Sequence, residues 1–251
     1  MSKHITYYTS QECRNNITDK ASALHKQTLT LTNRLGFLII GWGFVGLFYA
    51  LSTNLTPFSA HILSESFIDR AVAFNPNGIW LYLSFFMFVP LGFLFSTPEK
   101  LIQFTRAMQM CAVICGAVFL ILPTTLNYPS ISTDNSGTYA SLALLGFLSN
   151  YDTAKNCLPS LHAALTLLTA WVMYSRLNIV RSIVIMIWAA LIIYSIIQIR
   201  RHLALDVGAG LLVGAGAIIL AGRLHLPIVG ARWLPKALRT VDENKQKGCV
   251  Q

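Results

Sequence analysis

The sequence predicts an all-α, polytopic membrane protein, a single-domain bundle of six transmembrane helices. Three observations predict it. Of 251 residues, 54% are hydrophobic and 12% charged, about half the roughly 25% charged share of a soluble domain. The mean hydropathy is +0.56. The apolar residues are gathered into six runs with at most one charged residue each, most of them near the roughly 20 residues a helix needs to cross a bilayer. This composition excludes a single water-facing globule.

In chain order the runs are Leu35 to Thr53, Gly78 to Ser96, Ala107 to Leu126, Ser160 to Tyr174, Val180 to Ile199 and Leu203 to Gly222. They are apolar all round rather than alternating, and isolated strands could not satisfy their backbone groups in lipid, so each run reads as helix. The fourth is short. Pro159 suits its first turn and the helix can continue through Ser175, which gives a span with a polar outer end. Asp206 interrupts the sixth near its start. No cleavage pattern follows the first run, which therefore reads as a retained helix. Residues 1–34 and 223–251 are polar tails around a membrane domain of residues 35–222. Trp233 and its basic neighbours suit a short helix at the headgroup level.

Alternate segments between the runs hold 15 of the 19 Lys and Arg residues, against 4 on the opposite side. The positive-inside rule then makes both termini cytoplasmic. The net charge of +9 suits tails facing anionic lipid, so membrane lipids are the expected partner and nucleic acid is not. The six-span plan without transit-peptide character fits a bacterial inner membrane. Oligomeric state stays open.

Cysteine excludes two classes. Cys13 and Cys249 lie in the tails, Cys111 and Cys115 are one turn apart within the third run, and Cys157 is alone outside, so no extracytoplasmic pair forms a disulfide. There is no CxxC to hold zinc, and neither metal nor cofactor is expected.

Ionisable groups at membrane depth are costly, and those at the ends of runs four, five and six converge on the outer face. Of the six histidines, His4, His25 and His225 fall on the cytoplasmic side and His61, His162 and His202 outside. His61 has no supporting neighbours. His162 follows Lys155, Pro159 and Ser160 at an opening helical turn, where unpaired N–H groups attract an anion such as phosphate. His202 follows Arg200 and Arg201, with Asp206 four residues on, on the same face once the helix has begun. An Asp at that spacing can hold an imidazole N–H and raise its basicity, so the pair reads as a nucleophile with its orienting acid. Gly208, Gly210, Gly214 and Gly216 in run six suit close helix packing. Tyr82, Tyr128 and Tyr139 read as interfacial anchors.

The stretches Cys157-Leu-Pro-Ser-Leu-His162 and Ser195-Ile-Ile-Gln-Ile-Arg-Arg-His202-Leu-Ala-Leu-Asp206-Val-Gly208 resemble the second and third signature motifs of the type 2 phosphatidic acid phosphatase (PAP2) superfamily. They are closest to the branch that includes inositol phosphorylceramide synthases, where Leu commonly replaces Gly in Pro-Ser-Leu-His and a basic residue stands two before the second His, as Arg200 does. The motif-bearing match covers about Tyr151 to Gly222, with weaker similarity back to about Asp69. The resemblance implies a six-helix bundle with its site at the outer face. It implies that His202 attacks phosphorus to give a phosphohistidine, Asp206 orients it, and His162 protonates the leaving oxygen. Ser160, nearby backbone N–H groups and Arg200 would hold the phosphate without a metal.

The first family motif, Lys, six residues, then Arg-Pro, is where this chain departs. Lys100 to Arg106 is one residue short, lacks the Pro and lies on the cytoplasmic side, while Leu122 to Pro129 occupies the right region without a basic residue. Arg70 or Lys155 could take its place. The expected partner is a lipid phosphate substrate reaching the site laterally, beneath a roof formed by Leu142 to Leu148 in the interface. Transfer to water makes a phosphatase and transfer to a lipid or sugar hydroxyl a phosphotransferase. A transporter or non-catalytic lipid-binding protein on the same fold is the rival of another class.

Overall fold

The computed structural model describes residues 29–129, 137–151, 155–224, 226–230 and 232. Cys13, Cys249, His4, His25, His225 and Trp233 lie outside the described residues, as do most of both tails.

The described chain is mostly helical. Helix α1 (Leu31–Leu38) starts at Thr30, whose side chain caps the N–H of Asn33, and runs through one π turn (Ile39–Gly43) into α2 (Phe44–Leu55). Strand β1 (His61–Leu63) and the short helix α3 (Phe67–Ala71) follow. A 3₁₀ turn (Pro76–Gly78) opens α4 (Ile79–Leu83), then α5 (Phe85–Phe95). Helix α6 (Pro98–Ile121) is the longest, and β2 (Thr124–Leu126) leaves its end. The remainder is α7 (Tyr139–Tyr151), α8 (Leu161–Met173), α9 (Ile179–Gln198) and α10 (Ala204–Arg223).

Five helical stretches are long and apolar enough to cross a membrane: Leu31–Ser52, Pro76–Phe95, Pro98–Ile121, Ile179–Gln198 and Ala204–Arg223. The chain is an integral membrane protein. Large apolar side chains such as Ile183, Val184, Ile187 and Leu191 on α9 face outward, as lipid rather than water requires.

The expected fourth span is α8, whose 13 residues rise about 20 Å at 1.5 Å each, short of a hydrocarbon core of about 30 Å. It stands in the middle of the bundle, packed by α5, α6, α9 and α10. Its hydroxyls bond back into the helix, Thr166 to the carbonyl of His162 and Thr169 to that of Leu165, both at 2.8 Å.

Helix α6 begins nine residues before the expected Ala107, because Thr97 caps it and Pro98 opens it. Arg106 is therefore inside the helix, buried, its guanidinium bonded to the carbonyls of Leu226 and Ala221. Those acceptors at the end of α10 let a cation sit there. The expected end of the same run, Thr124 to Leu126, is instead strand β2, parallel to β1 with His61 opposite Thr124. An isolated bridge adds Asn156 beside Thr124, so three connecting segments are pinned together outside the spans.

Of the glycine stripe in α10, two members make close approaches. A Cβ on Gly210 would overlap the carbonyl oxygen of Ser160, and one on Gly214 would lie 3.0 Å from that of Ala164. Gly208 and Gly216 have nothing within 4 Å. The small residues thus bring α10 against the opening turns of α8, the element that carries His162.

Candidate active site

Three local structures set the site. The first is the end of α9. The N–H of Arg200 bonds the carbonyl of Ile197 and that of Arg201 the carbonyl of Ile196, both at 3.0 Å, which is a Schellman closure. Its left-handed position, usually glycine, is Arg200, with φ of 53°. A non-glycine residue there costs about 1–2 kcal/mol, and the side chain offsets it. Nε bonds Glu65 Oε1 at 3.0 Å, Nη1 the carbonyl of Ile197 at 2.9 Å, and Nη2 the carbonyls of Asp69 and Val72 at 2.9 and 2.8 Å. The chain then turns sharply into α10 and delivers His202.

The second is the start of α10. Asp206 Oδ2 accepts from the N–H of Leu203 at 2.9 Å, the reciprocal half of a capping box. The carbonyl of Asp206 accepts from the N–H of Ser160 at 2.9 Å, which joins the two motif segments through main chain. The third is the start of α8, where Ser160 Oγ caps the N–H of Ala163 at 3.3 Å. Ahead of it, Thr124 holds the loop: its hydroxyl accepts from the N–H of Leu158 at 2.8 Å and its carbonyl from that of Cys157 at 3.3 Å.

These elements bring two imidazoles together, their planes tilted by 57° and their centroids 5.6 Å apart. His202 Nε2 lies 3.4 Å from His162 Nδ1. On its other side His202 Nδ1 is 2.9 Å from the carbonyl of Cys157 and 3.5 Å from Asp206 Oδ2. A carbonyl only accepts, so Nδ1 carries the proton and Nε2 keeps a lone pair. Asp206 stands at ion-pair range of the imidazole rather than in its primary hydrogen bond, and its Oδ1 has no partner among the described residues. His162 Nε2 meets the Tyr82 hydroxyl at 3.0 Å.

His162 also lines an apolar cavity of about 270 Å³ between α2, α4, α5, α7 and α8, with Trp42, Tyr49, Phe86, Leu148 and Leu161 in its wall. By the volume of water that is room for about nine molecules, or one short alkyl segment. Cys157, His202 and Asp206 place a sulfur, a ring nitrogen and a carboxylate oxygen within 4.8 Å of one another. Such a mixed soft set could take a zinc-like ion.

The remaining expected residues are spread around this centre. Arg200 is buried and tied to α3 and its flanks as above. Arg70 is exposed and bonds the carbonyl of Glu65 at 2.9 Å. Lys155 is half-buried, with no ion pair among the described residues. Tyr82 is no interfacial anchor, since it is 1% exposed and bonded to His162; its position four residues into an apolar run hid this. Tyr128 has its hydroxyl 3.7 Å from Cys157 Sγ, and Tyr139 is fully at the surface. The carbonyl of Cys157 and the carboxylate of Asp69 also belong to the support of the site; the first has no sequence signature, and the second stands three residues after Ser66, the spacing of the capping box it forms.

A family model described as the PAP2 superfamily matches residues 58–220. The chain belongs to the PAP2 superfamily. It is thereby a membrane protein of phosphatase type, and both histidines, Asp206 and the α3 segment fall inside the matched PAP2 region. No curated protein and no solved structure matches the chain.

Proposed function

We propose that this PAP2 protein hydrolyses a lipid phosphate ester through a phosphohistidine at His202, without a metal. The observation that carries it is the facing pair His202 Nε2 and His162 Nδ1 at 3.4 Å, with His162 forming part of an apolar cavity wall. One nitrogen has a lone pair, the other sits where a leaving oxygen needs a proton, and the neighbouring space accepts hydrocarbon. Nε2 of His202 attacks phosphorus, and a P–N bond forms as the P–O ester bond breaks. The leaving oxygen takes a proton from Nδ1 of His162. His162 then takes a proton from water, whose oxygen attacks phosphorus, and the P–N electrons return to Nε2. Asp206 stabilises the positive charge on His202 while the bond forms.

With an attacking atom about 3–3.5 Å from phosphorus and an acid about 3 Å from its oxygen, the two nitrogens stand at roughly 6 Å or more when substrate is bound. The rings therefore part to admit phosphate. The opening turn of α8 directs main-chain N–H groups, Leu161 first among them, toward the phosphate oxygens, with Ser160 holding that turn. Lys155, Arg70 and Arg200 contribute positive potential at this face, Arg200 at a distance because its Nε, Nη1 and Nη2 are engaged. The lipid enters laterally under α7, and the site faces away from the cytoplasm, where both termini lie. The segment that carries α8, with the extended residues at its two ends, makes the sixth crossing, in a bacterial inner membrane.

A second reading has an observation of its own. Leu161, from the Pro-Ser-Leu-His sequence resembling inositol phosphorylceramide synthases, lines the apolar cavity beside His162, where an alcohol is better accommodated than water. Then a lipid or sugar hydroxyl receives the phosphoryl group. Purified wild type and His202→Ala, assayed for phosphate release and for acceptor labelling across lipid phosphates, decide it. Phosphate release lost in the mutant supports the hydrolase, and labelled acceptor without free phosphate supports the transferase. Equal turnover by both proteins removes His202 as nucleophile; a phosphohistidine absent from an otherwise lipid-binding wild type leaves the transporter or non-catalytic binding protein.

A further inference from the structure

The chain lacks the family's first basic motif; Arg200 has Nε, Nη1 and Nη2 on protein acceptors, and Arg70 is exposed, with Nη1 on the carbonyl of Glu65. One other cation lies next to the nucleophile. Arg201 is 4% exposed. Its Nη2 bonds Ser149 Oγ at 2.7 Å and the carbonyl of Leu145 at 3.3 Å, both on α7. Its guanidinium lies 5.5 Å from the ring centroid of Tyr128, whose hydroxyl is 3.7 Å from Cys157 Sγ. Cys157 in turn supplies the carbonyl that fixes His202. Arg201 thus belongs to the ring of groups around the nucleophile and reaches the roof helix as well. Ser149 is adjacent to Leu148, which lines the cavity.

Two facts set Arg201 apart from its neighbour Arg200. It has no carboxylate within ion-pair distance among the described residues, whereas Arg200 has Glu65. Its Nε is buried and has no hydrogen-bond partner among the described residues. A buried guanidinium without a counter-charge is costly, and its flat fork of N–H donors is the group best matched to a phosphate. Neutral acceptors on α7 orient it, and no carboxylate among the described residues compensates its charge.

We propose that Arg201 is the phosphate-binding cation of this site, standing in for the missing first motif, and that it receives the substrate's phosphate through Nε–H while Ser149 and Leu145 hold Nη2. The proposal rests on the phosphoryl-transfer reading above. It also makes α7 a phosphate-responsive roof, because one guanidinium bonds both the helix and the ligand.

The test uses the full chain in detergent. Affinity for inorganic phosphate is read as thermal stabilisation across a phosphate titration, beside steady-state kinetics on phosphatidic acid, for wild type, His202→Ala, Arg200→Gln, Arg201→Gln and Arg201→Lys. Loss of a charged hydrogen bond corresponds to about tenfold or more. Arg201→Gln is expected to weaken phosphate by that factor and raise KM alike, and Arg201→Lys, which keeps charge but not the fork, to fall between. His202→Ala is expected to bind phosphate while losing turnover. Arg200→Gln, which loosens the turn that carries His202, is expected to lower the melting temperature and to weaken phosphate less than Arg201→Gln does. Wild-type phosphate affinity in a folded Arg201→Gln overturns the assignment while turnover by wild type leaves the reaction standing. Should that variant not fold, unchanged phosphate affinity and KM in Arg201→Lys overturn it equally. A wild type that neither turns over lipid phosphates nor binds phosphate overturns the assignment and the reading together.

Discussion

Asp69 Oδ1 accepts a hydrogen bond from the N–H of Ala204 at 2.7 Å, across 135 positions of sequence. The same residue's carbonyl accepts from Arg200 Nη2, so helix α3 grips both sides of the turn that carries His202. Asp69 is fully buried, and its other carboxylate oxygen accepts from the Ser66 N–H and hydroxyl at 2.8 and 2.6 Å. Burial alone would raise its pKa. The Ser66 hydroxyl, the Ala204 and Ser66 N–H groups and the charge of Arg200 outweigh that and hold the carboxyl below the usual carboxylate range.

The pH consequence has a definite sign. A carboxylate depressed on folding adds stability that is present above its unfolded pKa and lost as pH falls through the lower folded value. Wild type should therefore lose stability in acid relative to Asp69→Asn, the two curves converging below about pH 4. At neutral pH the Asn variant should be less stable by about 1–3 kcal/mol. Unfolding midpoints of both proteins from about pH 7 to about pH 3 check this, and a constant difference throughout would dissociate Asp69 from the effect.

Gly210 and Gly208 make a matched pair of substitutions on one helix. Gly210→Ala forces a methyl onto the Ser160 carbonyl and should cost about 1–3 kcal/mol, with activity falling as Ser160 and His162 shift. Gly208→Ala meets open space and should be neutral or gain up to about 1 kcal/mol from helix propensity. Thermal melts and specific activity of the two variants distinguish crowding at the motif junction from a general effect on α10.

Removing the Tyr82 hydroxyl leaves the His162 ring packed against Phe85 but takes away its partner at Nε2. Tyr82→Phe is expected to lower kcat by about tenfold with KM little changed. An effect on KM alone would place Tyr82 in binding rather than in holding the acid.

The metal-independent mechanism predicts that chelator leaves turnover unchanged. Cys157→Ala keeps the main-chain carbonyl that fixes His202 and should retain most of the activity, whereas a site dependent on a metal held by Cys157, His202 and Asp206 would lose it. Activity with and without added zinc in both proteins reads this directly.

Five of the spans and the two histidine motifs were legible because apolar runs and short motifs are local in sequence. The boundaries of α6 were not. Arg106 marks the start of the third run only if an ionisable group cannot enter a helix at depth, and its acceptors, Leu226 and Ala221, lie more than 100 residues away. The same limit applies at the site. His162, His202 and Asp206 announce themselves by spacing, but the partner that sets the tautomer is a main-chain carbonyl, which any residue at position 157 would supply. Arg200 and Arg201 are chemically identical neighbours in sequence. Only the turn that closes α9 separates them, committing one to Glu65 and the carbonyls of α3 and leaving the other beside α7.

The bond from the Ser160 N–H to the Asp206 carbonyl fixes the spacing of the two motif segments without recruiting a side chain. The cavity wall, by contrast, is drawn from five separate helices and is mostly side chain. Reaction chemistry and substrate fit are therefore separable properties of this chain: residues such as Trp42, Tyr49 or Leu148 can be exchanged to admit a different hydrocarbon while the relative placement of the histidines is inherited from the backbone.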